Sequence, residues 1–513
     1  MKPIYTLVFL LCLVLPLQAQ NFAPSYLNAI ARGSEKQPYT LGIEHKTRTF
    51  LHTPSIPLLT AASLPDRTVD LVQEDSVHSK RAPIWKPAAQ VIGVNALFMV
   101  FNRYIAKADY GYVSLSTWKR NLRSEPEWDT DEFGINFLGH PYQGTLYFNA
   151  ARSQGYNYWQ SLPFAVGGSL TWEYFGENTL PSYNDLIYTP LNGAALGEIL
   201  HRLSSNLLDG RTRGRERAVR EIAAGLVNPV RGLNRLLQGK SFEKTSQEVY
   251  ETEPLNFTLF TGVHRLNEQE NDVFGKGGNN AMLSMQLDYG RPFEHMKRKP
   301  FDFFRLRTEF SIGSADTLGS TVNNVTGYGI IIGRNLELGR VALLTGAFQY
   351  YDYWNTRNFE LGALGFGGGV FSKLEFQRHI NLYTNAHLGV IPLAGKNTRS
   401  IPSPGLRTYT FTNGLQAKIE STLSLGKYAS AAFVYYHFWL NSFEGLKGRN
   451  SIGIVRPRVT VRLIKNVSLG YEHFGYTTDL TLEDYPDHRS VITEQKIFLQ
   501  LFLQASDRSG NYN

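Results

Sequence analysis

Phe304-Arg305-Leu306-Arg307-Thr308-Glu309-Phe310-Ser311-Ile312 is the stretch that decides the fold. Phe304, Leu306, Thr308, Phe310 and Ile312 form a mostly apolar set, and Arg305, Arg307, Glu309 and Ser311 form a polar one. Successive side chains of a strand point to opposite faces, so this period of two marks a strand between two different environments. The pattern recurs. Val455, Pro457, Val459, Val461 and Leu463 alternate with Arg456, Arg458, Thr460 and Arg462. Leu415, Ala417 and Ile419 alternate with Gln416, Lys418 and Glu420, and Ile497, Leu499, Leu501 and Leu503 alternate with Lys496, Phe498, Gln500 and Phe502. Such runs reach the roughly 9–11 residues that a tilted strand needs to cross a bilayer. A soluble sandwich also alternates, but with shorter strands of about 5–6 residues.

The breaks between these runs agree. Gly-, Asn- and Asp-rich segments fall at 267–280, 316–320, 394–404 and 441–450, with tighter turns at 337–339 and 426–427. The spacing predicts about twelve antiparallel strands over residues 255–513, an even number as in single-chain bacterial barrels. Tyr350, Tyr351, Tyr353, Trp354, Tyr435, Tyr436, Trp439 and Tyr471 lie near strand ends and are expected to form aromatic girdles at the bilayer interfaces. The inward set carries charges of both signs, including Arg305, Arg307, Glu309, Lys418, Glu420, Arg456, Glu472 and Lys496. A charge-zipped wall is the expected use of these residues, ahead of a selective pore.

Composition is consistent with this reading. The 513 residues include 46 Gly and 66 aromatics, with 19% charged residues and a net charge of +8. That excludes disordered, collagenous, coiled-coil and disulfide-scaffold classes. A mean hydropathy of −0.25 argues against a helical membrane protein only, since a barrel averages a lipid face with a lumen face. Met1-Lys2, an apolar run to Leu17 and Gln18-Ala19-Gln20 read as a secretory signal over residues 1–20, cleaved near Ala19 or Gln20. The only cysteine, Cys12, lies inside it, so the exported chain is expected to hold together without disulfides. Residues 21–85 lack a period and are expected to be an extended periplasmic lead.

Residues 86–240 change to helical spacing, and this helical domain is expected to plug the barrel lumen or to sit in the periplasm. Asn149, Arg152, Ser153 and Tyr156 share one helix face. Pro163 sits near the start of a further helix that carries Glu173 and Glu177 one turn apart, and two carboxylates on an apolar helix need partners. Ser182 with Asp185 three residues on resembles a capping box. Gly193-Ala194-Ala195-Leu196-Gly197 suits close helix contact and is followed by Glu198 and His201. The residues Asn149, Arg152, Glu173, Glu177, Ser182, Asp185 and Glu198 are expected to form a buried polar network, with Arg152 pairing Glu173 or Glu177.

The run His140-Pro141-Tyr142-Gln143-Gly144, then Tyr147 to Ser153, Trp172-Glu173-Tyr174 with Glu177, Pro181 to Asp185 and Gly193 to Glu198 resembles one bacterial family. That family is catalogued as domain of unknown function 3943, and the resemblance covers residues 115–210. It implies a Gram-negative envelope protein, often with a barrel-like remainder, and no established activity. The order Glu, then Ser-x-x-Asp, then Gly-x-x-x-Gly is also similar to small membrane-associated helical proteins of the teicoplanin-resistance type.

The expected function is that of a non-enzymatic outer-membrane barrel acting as channel, transport partner or structural element, with one alternative kept beside it. That alternative is a membrane-embedded, hydrolase-like enzyme acting on envelope lipid or glycan through His140, Glu173 and Glu177, with Asp185 as a further catalytic candidate. Glu198-x-x-His201 is a single half of a di-iron pattern that needs two, so no metal or other cofactor is expected. No nucleophile-elbow signature surrounds Ser153, Ser169 or Ser182. Nine basic and three acidic residues lie between Arg202 and Lys240. Arg211, Arg213, Arg215, Arg217 and Arg220 are the expected contact with anionic lipid headgroups, lipopolysaccharide or other envelope components. Nucleic acid is excluded as a partner by export.

Overall fold

The computed structural model describes residues 81–245, 249–267, 277–313, 322–356, 358–377, 379–398, 408–483 and 485–505. The expected signal and all but the last five residues of the lead lie outside the described residues.

Twelve antiparallel strands close into one barrel. They are β1 Leu255–Asn267, β2 Gly277–Tyr289, β3 Phe304–Ile312, β4 Val322–Leu338, β5 Val341–Asn355, β6 Phe359–Gln377, β7 Ile380–Thr398, β8 Thr410–Leu425, β9 Ala429–Glu444, β10 Gly448–Ile464, β11 Val467–Leu482 and β12 His488–Ala505. Every strand pairs with its neighbours in sequence, and β1 closes on β12 from Leu255↔Ala505 to Leu266↔Glu494. Closure leaves no edge strand to template aggregation. One rim is mostly made of short turns, such as Gly339-Arg340 between β4 and β5, where Gly339 takes φ +61°. The other rim carries the longer connections, as between β1 and β2, β3 and β4, and β7 and β8.

Charge pairs identify the inside. Arg305 and Arg307 on β3 pair with Glu420 on β8, which lies on the far side of the ring, so these residues meet across the lumen. Lys418 meets Asp352 at 2.6 Å, Arg456 meets Glu472 at 2.9 Å, and Lys496 meets Glu309 at 2.5 Å. This charged layer lies between two apolar ones. Tyr328, Ile330, Phe348 and Phe371 fill the lumen toward the short-turn rim. Leu361, Phe438, Leu440, Ile452 and Phe474 fill it toward the long-loop rim. Two cavities in the charged layer are about 10 Å³ each, room for one water at most. Among the described residues, the lumen is filled by the barrel's own side chains.

The outer face divides in two. Over β9 to β12 and the middle of β7 and β8 it exposes apolar side chains, among them Leu388, Leu415, Trp439, Val459, Leu469 and Ile497. Over β2 to β6 and at the long-loop end of β8 the outward residues Met285, Leu306, Val325, Tyr351, Leu364 and Phe411 are buried, because helices cover them.

Those helices are α1 Trp85–Val100, which continues as a π-helical segment to Ala106, α2 Leu115–Asn121, α3 His140–Arg152, α4 Tyr158–Phe175, α5 Tyr183–Leu207, α6 Gly214–Val227 and α7 Pro229–Leu237. The starts of α2, α4, α5 and α7 are capped by side chains. Asn157 and Gln160 form a capping box at α4, and Ser182 accepts from the Asp185 amide at 3.3 Å at α5. Pro190 lies inside α5, which runs through it as one helix. Gly144 of α3 faces Gly193 of α5 so closely that a Cβ on either would overlap the other helix's backbone. This is the close approach that small residues permit.

The bundle lies against the outer wall, neither inside the lumen nor beyond the rim. The Phe137 ring fills the space left by Gly362 on β6 and Gly395 on β7, both outward positions. Tyr351 donates to the Phe137 carbonyl at 2.7 Å, Tyr158 donates to Gln349 at 2.9 Å, and Gln349 donates to the Leu191 carbonyl at 2.8 Å. α5 follows the wall from one rim to the other: Tyr183 lies beside Trp128, which also packs on Phe411, and Asn206 donates to the Glu253 carbonyl just before β1. The expectation of a plug fails for a physical reason. The lumen is already filled by side chains of the barrel itself, whereas the wall from β2 to β8 offers apolar and glycine positions.

The aromatic girdle is also redrawn. Tyr350, Trp354 and Tyr436 point into the lumen, and Tyr351 and Tyr353 lie under the bundle. Trp439 and Tyr471 face outward and are exposed.

Candidate functional site

At the long-loop end of the bundle, four segments converge. The chain at 127–131 is pinned to the start of α5, since the Glu127 amide donates to the Pro181 carbonyl at 2.8 Å and the Tyr183 amide to the Glu127 carbonyl at 2.9 Å. This brings Asp129 and Asp131 against His140 at the start of α3, Glu173 and Glu177 at the end of α4, and Ser182, Asn184 and Asp185 at the start of α5. His140 Nε2 lies 3.8 Å from Asp131 Oδ2 and 3.9 Å from Asp185 Oδ1. Asp185 is buried, and its Oδ1 accepts no hydrogen bond. The Asp131 side chain is 42% exposed and lies at the solvent edge of the cluster.

The other carboxylates are tied in. Glu173 Oε2 accepts from the Ser182 amide at 2.9 Å, and Glu177 accepts from Trp172 Nε1 at 2.7 Å and from the Thr179 hydroxyl at 3.0 Å. Asn136 donates to Asp129 at 2.6 Å, and Asn184 donates to both Asp129 and Asp185 at 3.0 Å. In the loop after α4, burial pushes the Glu177 carboxyl up to about 7, with the positive charge of His140 opposing. Burial would raise Asp129 as well, but hydrogen bonds with Asp185, Asn184 and Asn136 outweigh it and hold Asp129 below its ordinary value. Carboxyls pushed to opposite sides of their usual range, around a histidine, are an arrangement suited to acid and base work in one cluster.

The expected single network is therefore two. Arg152 does not reach Glu173 or Glu177. Its Nε lies 2.7 Å from Glu198 Oε2, and Arg202 Nε lies 2.9 Å from Glu198 Oε1. Asn149 joins this second cluster, donating to the Thr145 and Gly197 carbonyls at 3.0 and 3.1 Å and accepting from Asn228 at 2.8 Å. It locks α3, α5 and α7 together toward the short-turn end. Arg152 lies three helical turns beyond His140, about 18 Å along α3 at ~1.5 Å per residue, so it cannot serve both ends. The His201 carbonyl accepts from Arg231 at 2.8 Å, and among the described residues no second Glu-x-x-His pair approaches Glu198.

The basic cluster is also partly consumed within the fold. Arg217 is buried and donates to the Ser241 and Lys240 carbonyls at 2.7 and 3.0 Å. Arg211 pairs with Asp209 at 3.0 Å, and Arg220 pairs with Glu216 at 2.9 Å. Arg213 and Arg215 are exposed. The expected five-residue surface is thus smaller, because stranded carbonyls at helix ends compete for guanidinium donors.

Sequence reading missed Asp129, Asp131, Asn136 and Asn184. Their signal is the run from Glu125 to Glu132, five acids in eight residues just before the helix of His140.

In comparisons with known proteins, the barrel is similar to the NanC porin (9% identity, 48% of this chain and 100% of that one, TM-score 0.28). It is similar to an outer membrane channel from Pseudomonas putida F1 (10% identity, 51% and 99%, TM-score 0.29). It is also similar to the outer membrane channel DcaP of Acinetobacter baumannii (8% identity, 49% and 96%, TM-score 0.22). The barrel assignment rests on strand register and not on these likenesses. No curated protein matches the chain. Residues 125–230, which hold both polar clusters, match the family model described as Domain of unknown function (DUF3943). The chain carries that domain joined to a closed twelve-stranded barrel.

Proposed function

We propose that this is an outer-membrane protein, exported by a cleaved signal, in which a sealed barrel is the anchor and the bundle on its wall is the working part. The activity that the geometry supports best is acid–base chemistry of a hydrolase-like kind on envelope lipid or glycan. The observation that carries it is the placement of His140 between the exposed Asp131 and the buried Asp185 at the long-loop end of the bundle. In this reading His140 carries the proton, Asp185 orients it, Asp131 meets the substrate, and Glu173 and Glu177 set the local charge. The packed lumen supports an anchor over an open pore. A purely structural role is the second reading, favoured by Glu173 and Glu177 both bonding groups at helix ends.

Purified protein in vesicles of phospholipid and lipopolysaccharide tests this. The expected result is release of a product from one of these lipids, reduced by about 10²-fold or more in His140→Asn, with the barrel still folded by its heat-modifiable gel mobility. Burial lowers His140, but Asp131, Glu177 and Glu173 outweigh it and hold the imidazole up at about 9. With His140 as the proton carrier, activity is expected to fall as pH rises through about 9. Turnover unchanged by His140→Asn, or no turnover together with ion conductance by the wild type, contradicts the reading.

A further inference from the structure

The bundle is built inside out relative to a water-soluble domain. Its exposed positions along α1 are Ala88, Ala89, Ile92, Ala96, Leu97 and Val100. Along α4 they are Trp159, Pro163, Val166 and Leu170, and along α5 they are Tyr183 and Ile187. No polar side chain is exposed on α1 between Ala88 and Val100, nor on α4 or α5 at these positions. Polar residues of the same helices, among them Asn95, Ser169, Asn192 and Glu198, are buried, as are Asn149 and Arg152 of α3. A soluble helix shows the reverse. We infer that the bundle is itself embedded in the bilayer, so that lipid covers α1, α4 and α5 on the side away from the barrel.

Four further observations fit that one occupant. Trp85–Ala106 is long and apolar enough to cross a membrane, and α4 and α5 have 18 and 25 residues. At ~1.5 Å per residue these helices measure about 27 to 37 Å, against a hydrocarbon core of about 30 Å. Exposed aromatics sit at their ends, with Trp85 and Trp159 toward the short-turn rim and Tyr104 and Tyr183 toward the other, where amphipathic rings favour the interface. The barrel's own outer face also exposes apolar side chains, as at Leu388, Val390, Leu415, Val459 and Ile497. Finally, α7 at the short-turn end turns Leu233, Leu236 and Leu237 outward and Arg231 and Arg235 inward, the orientation of a helix lying on the acyl boundary.

The helices pack beside a barrel whose lumen is closed, and their buried polar groups bond to one another, as a lipid-embedded backbone requires. One consequence rests on the function proposed above. The His140 cluster lies where α3, α4 and α5 meet the long-loop end, which is headgroup depth in that leaflet, so the substrate class is the polar headgroup of a lipid and not a soluble glycan.

Cys12 lies in the expected signal, so a single introduced cysteine reports alone. The full chain, with a fluorophore at Leu97→Cys, Val166→Cys or the barrel position Val459→Cys, is reconstituted in phosphatidylcholine vesicles with or without bromine on the acyl chains. Embedding predicts at least twofold quenching by the brominated lipid at all three sites, and none at Arg213→Cys. Quenching at Val459 alone, with aqueous iodide reaching Leu97 and Val166, overturns the inference. The readout is independent of turnover: a bundle that is quenched but inactive leaves the inference standing and removes only the proposed chemistry.

Discussion

Glu420→Ala is expected to lose the folded barrel at denaturant concentrations the wild type withstands. Glu420 accepts from Arg307 at 2.8 and 3.0 Å and also from Arg305 and Tyr436, all within the packed lumen. Removing it leaves two half-buried guanidiniums facing each other with Asp288 as the remaining carboxylate partner, on Arg305. Breaking a buried pair from one side costs about 3–5 kcal/mol, because the stranded charge loses both water and partner. Urea titration followed by gel mobility reads the loss. Glu420→Gln keeps the shape and one acceptor and should lie between the two. A barrel as stable in Glu420→Ala as in the wild type would mean that water fills the lumen and screens these charges, contrary to the cavities of about 10 Å³.

Phe137→Ala is expected to release the bundle from the wall while leaving the barrel closed. The ring occupies the volume that Gly362 and Gly395 vacate, stacks near Phe133 at 4.9 Å and meets Tyr188 edge-on at 4.9 Å. Truncating a fully buried Phe costs about 3–5 kcal/mol in transfer and cavity terms. The cost falls on bundle docking, since no strand pairing passes through Phe137. Limited proteolysis should then cut the bundle away from an intact barrel, whereas the wild type resists. Equal protection of both parts in Phe137→Ala would show that the glycine pocket is not what holds them together.

The barrel was readable because the alternation of Phe304 to Ile312 needs nothing beyond the strand's own period, and twelve such runs fix the strand number. The side of the wall on which the helices pack was not readable. Leu306, Tyr351 and Leu364 look the same whether an outward residue meets lipid or a helix, since both surroundings are apolar. Gly362 and Gly395 were the available signal, but a glycine in a strand also marks a bulge or bend. The site was half readable. The structure brings His140, Glu173, Glu177 and Asp185 to one end of the bundle, and only the start of the Asp185 helix was marked by a capping pattern. Arg152 was assigned to the wrong carboxylates because spacing gives the helix face but not the direction in which the next helix runs. The acidic run before His140 has no period, and only the pairing of Glu127 with Ser182 brings it to the cluster.

The most direct test of the account is a proximity measurement across the wall. Ile199 of α5 reaches 3.9 Å from where a Cβ on Gly327 would stand, outside the barrel, while Thr326 next to it points into the lumen. In the full chain in outer-membrane vesicles, Ile199→Cys paired with Gly327→Cys is expected to be bridged by a short thiol cross-linker, and Ile199→Cys paired with Thr326→Cys is not. Bridging to residue 326 and not to residue 327 would put the helices inside the barrel and contradict the account.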